Sequence, residues 1–425
     1  MASGVFDNRL LRFAALVDLP RSAEAGGHVK WWERLAAAAA QAGEELPFDL
    51  TVYFSGDNPD ETLGPRVRLR CLKPVFSTAR LKFLPYTPAH TDLAPYHPRL
   101  AHELARYDLI HTTDGFFAFA QTAERIARRR AIPLTTSFHT DTPAYARIFT
   151  RHTIDGLFAR LPWLRRKLIE DWRAPERQAA RMERRLEAHL RAASWAFATR
   201  AEDRNLAERI LGRERVSALR LGVDKTMFDW RRRAIDAVRR DYAIPEDRVV
   251  ALFVGRVDIG KNVPVLIEAT ARAIAAGAPL HLIVAGDGPM RDALRRRLAG
   301  HVSAPGFVSA DELARLYASV DFVALPSEVE IGGMAAIEAV ASGCPTLVAR
   351  GGGSAKLFDH AQAIGEVEGG AAAWAAALTD MARNADRRST MRESAIEFAD
   401  RRLASWSDVL NEDLAPGWVA ALSHR

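Results

Sequence analysis

Residues 249–262 read VVALFVGRVDIGKN. An apolar run, Val249–Val254, ends at Gly255 and Arg256, and Lys261 follows a short turn. A short continuous apolar run closed by a turn signal predicts a strand buried on both faces, as in a parallel sheet. The design repeats downstream. LHLIVAGDGP (280–289), DFVALPS (321–327) and CPTLVAR (344–350) are strand-like. Between them PVLIEATARAIAAG, MRDALRRRLAG, ADELARLYASV and MAAIEAVASG carry helical patterns. Strand and helix in alternation predict an open parallel sheet with helices on both faces, and ligands of such sheets bind beyond the carboxyl ends of the strands.

The first half shows the same alternation. LRFAALVDL, DLTVYFSG, DLIHTTD and PLTTSFHT are strand candidates, and AFAQTAERIARRRA between two of them reads as a helix. With 425 residues, the chain exceeds one ordinary core. The expectation is two successive α/β domains with a linker region near 218–233. Two such domains facing each other would form a cleft between them.

Composition narrows the class. Apolar residues make up 48% and charged residues 26%, as in a globular protein. Only two cysteines occur, Cys71 and Cys344, which suggests neither a disulfide framework nor a cysteine-based zinc site and points to a reducing cytoplasm. The opening residues read as a first strand rather than a signal peptide, and no stretch of about 18 apolar residues is present to span a membrane. The net charge of +6 is largely arginine. A solvated surface, an anionic lipid surface or a phosphorylated substrate would each suit it. The basic runs lack the interleaved aromatics of RNA-binding proteins, so nucleic acid is not expected.

Several positions could carry chemistry. Arg256 and Lys261 at a strand's carboxyl end suit a diphosphate, each charge-assisted contact contributing about 1.5–3 kcal/mol. Exposed loop cations are also common. Gly286 and Gly288 in AGDGP permit positive φ. In LPSEVEIGGMAAIEAVASGCPTL (325–347), Gly343 and Pro345 stop a helix predicted over Met334–Ser342. At about 100° per residue, Glu338 lies about 40° from Met334 and borders the apolar stripe, where an unpaired carboxylate is costly. Glu330 precedes the helix. A surface acid and a helix-terminal acid would fit the spacing equally well. In the first half, Gly26 and Gly27 precede an amphipathic helix, whose backbone N–H groups attract phosphate. His139 ends a strand. No D-x-D, H-E-x-x-H, P-loop or G-x-S-x-G occurs, and no metal site is expected.

In order and spacing these features resemble the retaining glycosyltransferases of family 4, which have the GT-B fold: two Rossmann-like doubly wound domains facing each other across a cleft. The resemblance runs through the glycine pair, GVD…F at Gly222–Phe228, VGR…K, GDGP, GFVSADELARLYASVDFVALPS, E-x7-E and ASGCPTLVA. It covers about 218–400. It implies an acceptor-binding domain over 1–217, a nucleotide-sugar domain over 218–400, and a C-terminal segment, 401–425, that crosses back at Ser405–Trp406. The family's roles fall on matching positions. Arg256 and Lys261 would neutralise the donor diphosphate, with Gly255 beside them and Gly27 letting the first loop approach. Glu338 would accept ribose hydroxyls and Glu330 a sugar hydroxyl. Backbone N–H groups at Gly332, Gly333 and Met334 would hold sugar and phosphate, the Phe307–Val308 backbone the base, and His139 the reacting sugar. Together His139, Arg256, Lys261 and Glu330 form the implied catalytic set. No cofactor is implied beyond the donor, UDP- or GDP-linked. Where the family has E-G-F-G, this chain has Glu330-Ile331-Gly332-Gly333, which bears on sugar preference.

The resemblance further implies transfer with retention by front-face attack, since no carboxylate is placed as a covalent nucleophile. The acceptor is expected to be a membrane lipid, because HTDTPAYAR resembles lipid-directed members. Segment 160–191 sets Trp163 and Trp172 beside Arg160, Arg165, Arg166 and Lys167, as a peripheral helix at the inner face of an anionic cytoplasmic membrane would. A solvated helix packed on the first domain is the plainer account. A soluble or polysaccharide acceptor, an epimerase or phosphorylase on the same fold, and a nucleotide-sugar-binding protein without activity are the alternatives.

Overall fold

The computed structural model describes residues 9–22, 25–78, 92–329, 332–358 and 362–423. The chain divides into two compact units, 1–220 with 406–425, and 221–405.

The first unit holds an eight-stranded sheet in the order β3-β4-β2-β1-β5-β6-β7-β8. The strands are β1 (Leu11–Pro20), β2 (Phe48–Ser55), β3 (Glu61–Gly64), β4 (Val67–Leu72), β5 (Leu109–Thr112), β6 (Leu134–Ser137), β7 (Trp195–Ala198) and β8 (Val216–Ala218). Every pairing is parallel except β3 with β4. Residues 13–18 of β1 are all buried, which is why this strand reads as a continuous apolar run. Four strands of this sheet escaped the sequence reading. β4, VRLRCL, alternates with arginines, and β3, β7 and β8 have four residues or fewer. The helix Gly27–Gln41 buries Val29, Trp31, Trp32, Leu35, Ala36 and Ala39, the helical stripe that faces the sheet. The C-terminal residues join this unit. Trp418 is fully buried, with its ring edge-on to Phe13 and Phe48, and Trp406 lies edge-on to Trp31.

The second unit is a six-stranded parallel sheet, order β11-β10-β9-β12-β13-β14. Its strands are β9 (Val249–Val254), β10 (Leu280–Ala285), β11 (Val302–Gly306), β12 (Phe322–Leu325), β13 (Thr346–Ala349) and β14 (Ile364–Val367). Of these, β11 and β14 also escaped the sequence reading. Helices Val263–Ala275 and Ala371–Arg383 pack together, and their apolar faces share one core with β9, β10 and β12. The two ends of the unit meet, because Gly222 bridges Ala404 and Val223 N–H donates to the Ala404 carbonyl at 3.0 Å.

Candidate functional site

Strand order reverses between β9 and β12, so the loops leaving these two neighbours diverge and open a crevice at their carboxyl ends. Both loops come from the motifs singled out above. After β9, Gly255 adopts φ 144°, and the Lys261 side chain lies along its open side. Asp258, itself buried, accepts from Lys261 N–H at 3.1 Å and caps the single turn Ile259–Lys261. Its other oxygen takes Arg256 Nη2 at 3.0 Å. Because Arg256 is 47% exposed, that ion pair holds the guanidinium weakly, and turning it toward an anion costs little.

The two loops are tied together. Asn262 has φ 54°, and its Nδ2 donates to the Pro326 carbonyl at 3.2 Å. Ser327 Oγ reaches the Gly260 carbonyl at 3.4 Å. The β10 loop is fastened to the same frame, with Val257 N–H on the Asp287 carbonyl at 2.9 Å and Met290 N–H on that of Val257 at 3.1 Å. Gly286 sits so close that a Cβ there would lie 2.0 Å from the Gly255 carbonyl oxygen. After β11, Phe307 is 46% exposed, with Val308 next to it.

Glu330 and Ile331 lie outside the described residues. Gly332 and Gly333 lead into the helix Met334–Ala341, and Gly333, at φ 39°, occupies its N-cap. A Cβ at Gly333 would meet Ser354 Oγ at 2.4 Å, so both dihedral and space require glycine there. The sequence placed Glu338 at the border of an apolar stripe. In the structure Ala336–Ala341 are all buried, so Glu338 is inside, and Tyr317 O–H donates to its Oε2 at 3.3 Å. Tyr317, from the helix Ala310–Ser319, is fully buried and meets Phe228 of the GVD…F motif edge-on. Arg256 and Lys261 thus lie on the loop after β9, and Gly332, Gly333, Met334 and Glu338 on the segment after β12, the two loops being joined through Asn262–Pro326 and Ser327–Gly260. Asn262 and Tyr317 were not foreseen. A left-handed asparagine and a tyrosine inside an apolar helix face carry no local signal of such a role.

In the first unit, Gly26 caps the helix at Gly27, and His28 on its first turn stacks on His139 with ring centroids 4.6 Å apart. Trp418 Nε1–H donates to His111 Nδ1 at 3.2 Å, which puts the His111 proton on Nε2. That Nε2 meets Ser137 Oγ at 2.9 Å, and Ser137 Oγ meets His139 Nε2 at 2.8 Å. The hydroxyl therefore donates to His139, leaving a neutral ring with its proton on Nδ1. Burial pushes His28 and His111 down to about 3, and burial with both neighbouring imidazoles holds His139 well below the ordinary histidine range. Asp141, beside it in sequence, is structural, capping the helix Thr142–Leu157 and pairing with Arg200 at 3.0 Å. Among the described residues no cluster of three or more His, Cys, Asp or Glu could hold a metal ion, and no helix is long and apolar enough to cross a membrane.

Residues 234–398 match the family model for glycosyl transferases group 1. Among curated proteins, the sulfoquinovosyl transferase SQD2 of Arabidopsis thaliana is 28% identical over 62% of this chain and 47% of its own length. A GDP-mannose-dependent alpha-(1-6)-phosphatidylinositol dimannoside mannosyltransferase of Mycobacterium tuberculosis is 36% identical over 31% of this chain and 34% of its own. The D-inositol 3-phosphate glycosyltransferase of Nocardia farcinica is 27% identical over 95% of this chain and 86% of its own. The chain spans about half or less of the length of the first curated relatives it matches. Solved structures share the fold. Sucrose-phosphate synthase from Thermosynechococcus elongatus superposes with a TM-score of 0.66 at 19% identity, over 94% of this chain and 96% of that one. HepE of Anabaena, solved with UDP and glucose, gives 0.63 at 18% identity over 94% and 97%. Two parallel-sheet, Rossmann-like units with these neighbours make the architecture GT-B, and the second unit carries the group 1 glycosyl transferase domain.

Proposed function

We propose that the chain is a retaining glycosyltransferase that moves a sugar from a nucleoside-diphosphate donor to a membrane lipid. The observation that carries this reading is the tied pair of loops at the β9/β12 switch point, with two cations on one and a glycine-opened helix leading to a buried carboxylate on the other. Arg256 and Lys261 are assigned to the diphosphate, Glu338 to the ribose, Glu330 to the transferred sugar, and Gly332–Met334 N–H groups to sugar and phosphate. The Phe307–Val308 backbone is assigned to the base. HepE, a neighbour in fold, was solved with UDP, which supports a nucleotide donor. For the first unit, His139 and Gly27 keep the roles the resemblance implies.

In the proposed reaction the bond from anomeric carbon to phosphate oxygen breaks and the acceptor oxygen bonds to that carbon on the same face. The acceptor proton goes to the departing phosphate oxygen, giving a glycoside and a nucleoside diphosphate. The cations stabilise the charge that develops on the leaving group. No metal enters the proposed chemistry. The lipid acceptor is supported by the relative named for phosphatidylinositol dimannoside and by the aromatic, basic segment within 160–191, proposed as the peripheral membrane contact. A soluble phosphorylated polyol is the second reading, favoured by the relative matched over 95% of this chain.

A thermal-shift screen of nucleoside-diphosphate sugars tests the donor, since a ligand bound only by the folded state raises stability. Transfer to lipid extract, with the anomeric configuration read by NMR, tests the rest. Stabilisation by no donor overturns the reading, as does inversion. Transfer to a soluble polyol but not to lipid moves the acceptor to the second class, and isomerised donor without transfer would indicate an epimerase.

A further inference from the structure

In the first unit, the helices Thr142–Leu157 and Ala174–Ala192 pack together as a hairpin. Their connection is ordered yet stands outside the core. It forms a short helix, Pro162–Arg166, followed by a π-helical turn, Lys167–Asp171, closed by Trp172 N–H on the Lys167 carbonyl at 2.9 Å. It leaves through Arg173 at φ 46°, an unusual dihedral for a non-glycine residue, which fixes the re-entry angle. From residue 156 through 173, none is buried.

Yet this stretch is rich in large apolar side chains. Trp163 is 66% exposed, Trp172 49%, Leu157 47% and Leu161 45%. A loop that only joined two helices would be polar, and a contiguous exposed apolar cluster marks an interaction surface. Its charges identify the partner. Arg160, Arg165, Arg166, Lys167 and Arg173 stand against Glu170 and Asp171. Arg165 pairs with Asp155, and Arg166 with Glu170 at 2.9 Å. Lys167 Nζ lies 5.8 Å from the centre of the Trp172 ring, setting a cation beside an aromatic side chain. Exposed indoles at headgroup depth, with five cations against two acids around them, match the charge and polarity gradient of an anionic lipid interface.

We propose that the tip of this hairpin, residues 157–173, docks onto an anionic lipid surface, with Trp163 and Trp172 inserted and the surrounding cations facing the headgroups. This narrows the membrane contact expected over 160–191 to the tip, because Ala174–Ala192 packs back on its hairpin partner. The inference rests on the lipid-acceptor reading, but its test does not need a donor. The full chain is floated with vesicles of mixed phosphatidylglycerol and phosphatidylcholine, and with phosphatidylcholine alone. Binding is expected only to the anionic vesicles, with a blue shift of tryptophan emission. Trp163→Ala with Trp172→Ala should weaken binding by about tenfold or more, as should Arg160→Glu with Lys167→Glu. Circular dichroism and donor thermal shift should be unchanged, since these side chains support no core. Failure of the wild type to float, or undiminished binding by the double tryptophan variant, overturns the proposal. So does a self-association that the tryptophan variant abolishes while vesicles have no effect. A chain that floats but responds to no donor leaves the docking surface standing and removes the transferase reading instead.

Discussion

Tyr317 O–H donates to Glu338 Oε2 at 3.3 Å, joining two helices of the second unit through buried side chains. A buried carboxylate without donors is expensive, and this bond fixes one oxygen so that the carboxylate keeps a set orientation. In the proposed site that carboxylate accepts the ribose hydroxyls. Tyr317→Phe should then weaken nucleotide binding by about 1–2 kcal/mol, roughly five- to thirtyfold in Kd, with secondary structure retained. Glu338→Ala should weaken it further. Calorimetry with the donor found by screening checks both, and unchanged affinity in the pair would remove Glu338 from the site.

Arg256 and Lys261 make a separate case, because one is half-exposed on Asp258 and the other ends the turn that Asp258 caps. Neither supports a hydrophobic core. Arg256→Ala or Lys261→Ala should lower turnover by roughly tenfold to more than a hundredfold, the loss of one charge-assisted contact of about 1.5–3 kcal/mol or somewhat more in the transition state. Melting temperature without donor should hold within a few degrees. Wild-type turnover in both variants would sink the diphosphate assignment.

The frame of this site was legible because it is periodic. Continuous apolar runs gave β9, β10, β12 and β13, and Gly286 and Gly333 stand where close approach or a left-handed dihedral excludes a side chain. What stayed hidden is tertiary. Tyr317 reads as one more large residue on an amphipathic helix until Glu338 is seen against it. Asn262 looks like a turn residue, and only the fold brings Pro326 to its amide. His28 looks like a helix start, yet packing sets its ring on His139. The π-helical turn at Lys167–Asp171 shifts residue phase by one, which helical periodicity does not encode.

The stacked imidazoles predict an acid limit. His28 and His111 are pushed down to about 3 by burial, and in the unfolded chain each protonates near the ordinary value of about 6.5. The unfolded state therefore binds more protons between these values. The stabilising contribution is complete above about pH 6.5 and is lost as pH falls toward 3, at up to about 1.4 kcal/mol per pH unit for each ring. His28→Phe keeps a ring against His139 and removes one titrating group. It should flatten the fall of melting temperature between about pH 7 and pH 5 relative to the parent. Identical slopes would show that His28 takes up protons equally in the folded and unfolded states, so that burial does not hold its pKa down.

Gly286 tests whether the β9 and β10 loops are as tightly joined as the hydrogen bonds imply. Gly255 N–H donates to the Ala285 carbonyl at 3.1 Å, and Gly286 N–H to that of Gly306 at 2.8 Å, so three strand ends are stitched through one glycine. At φ 145° a side chain is disfavoured, and a Cβ would collide with the Gly255 carbonyl. That carbonyl belongs to the backbone that carries Arg256, so relief of the clash must move the cation loop. Gly286→Ala should cost about 2–4 kcal/mol of stability by denaturant titration, combining a disfavoured dihedral with overpacking. Gly300→Ala is the control, since it shares a positive φ of 80° but a Cβ there would have nothing within 4 Å, and it should cost only about 1 kcal/mol. If the two variants lose equal stability, the dihedral alone accounts for the loss. If only Gly286→Ala also loses donor binding beyond its stability loss, the tight junction positions Arg256.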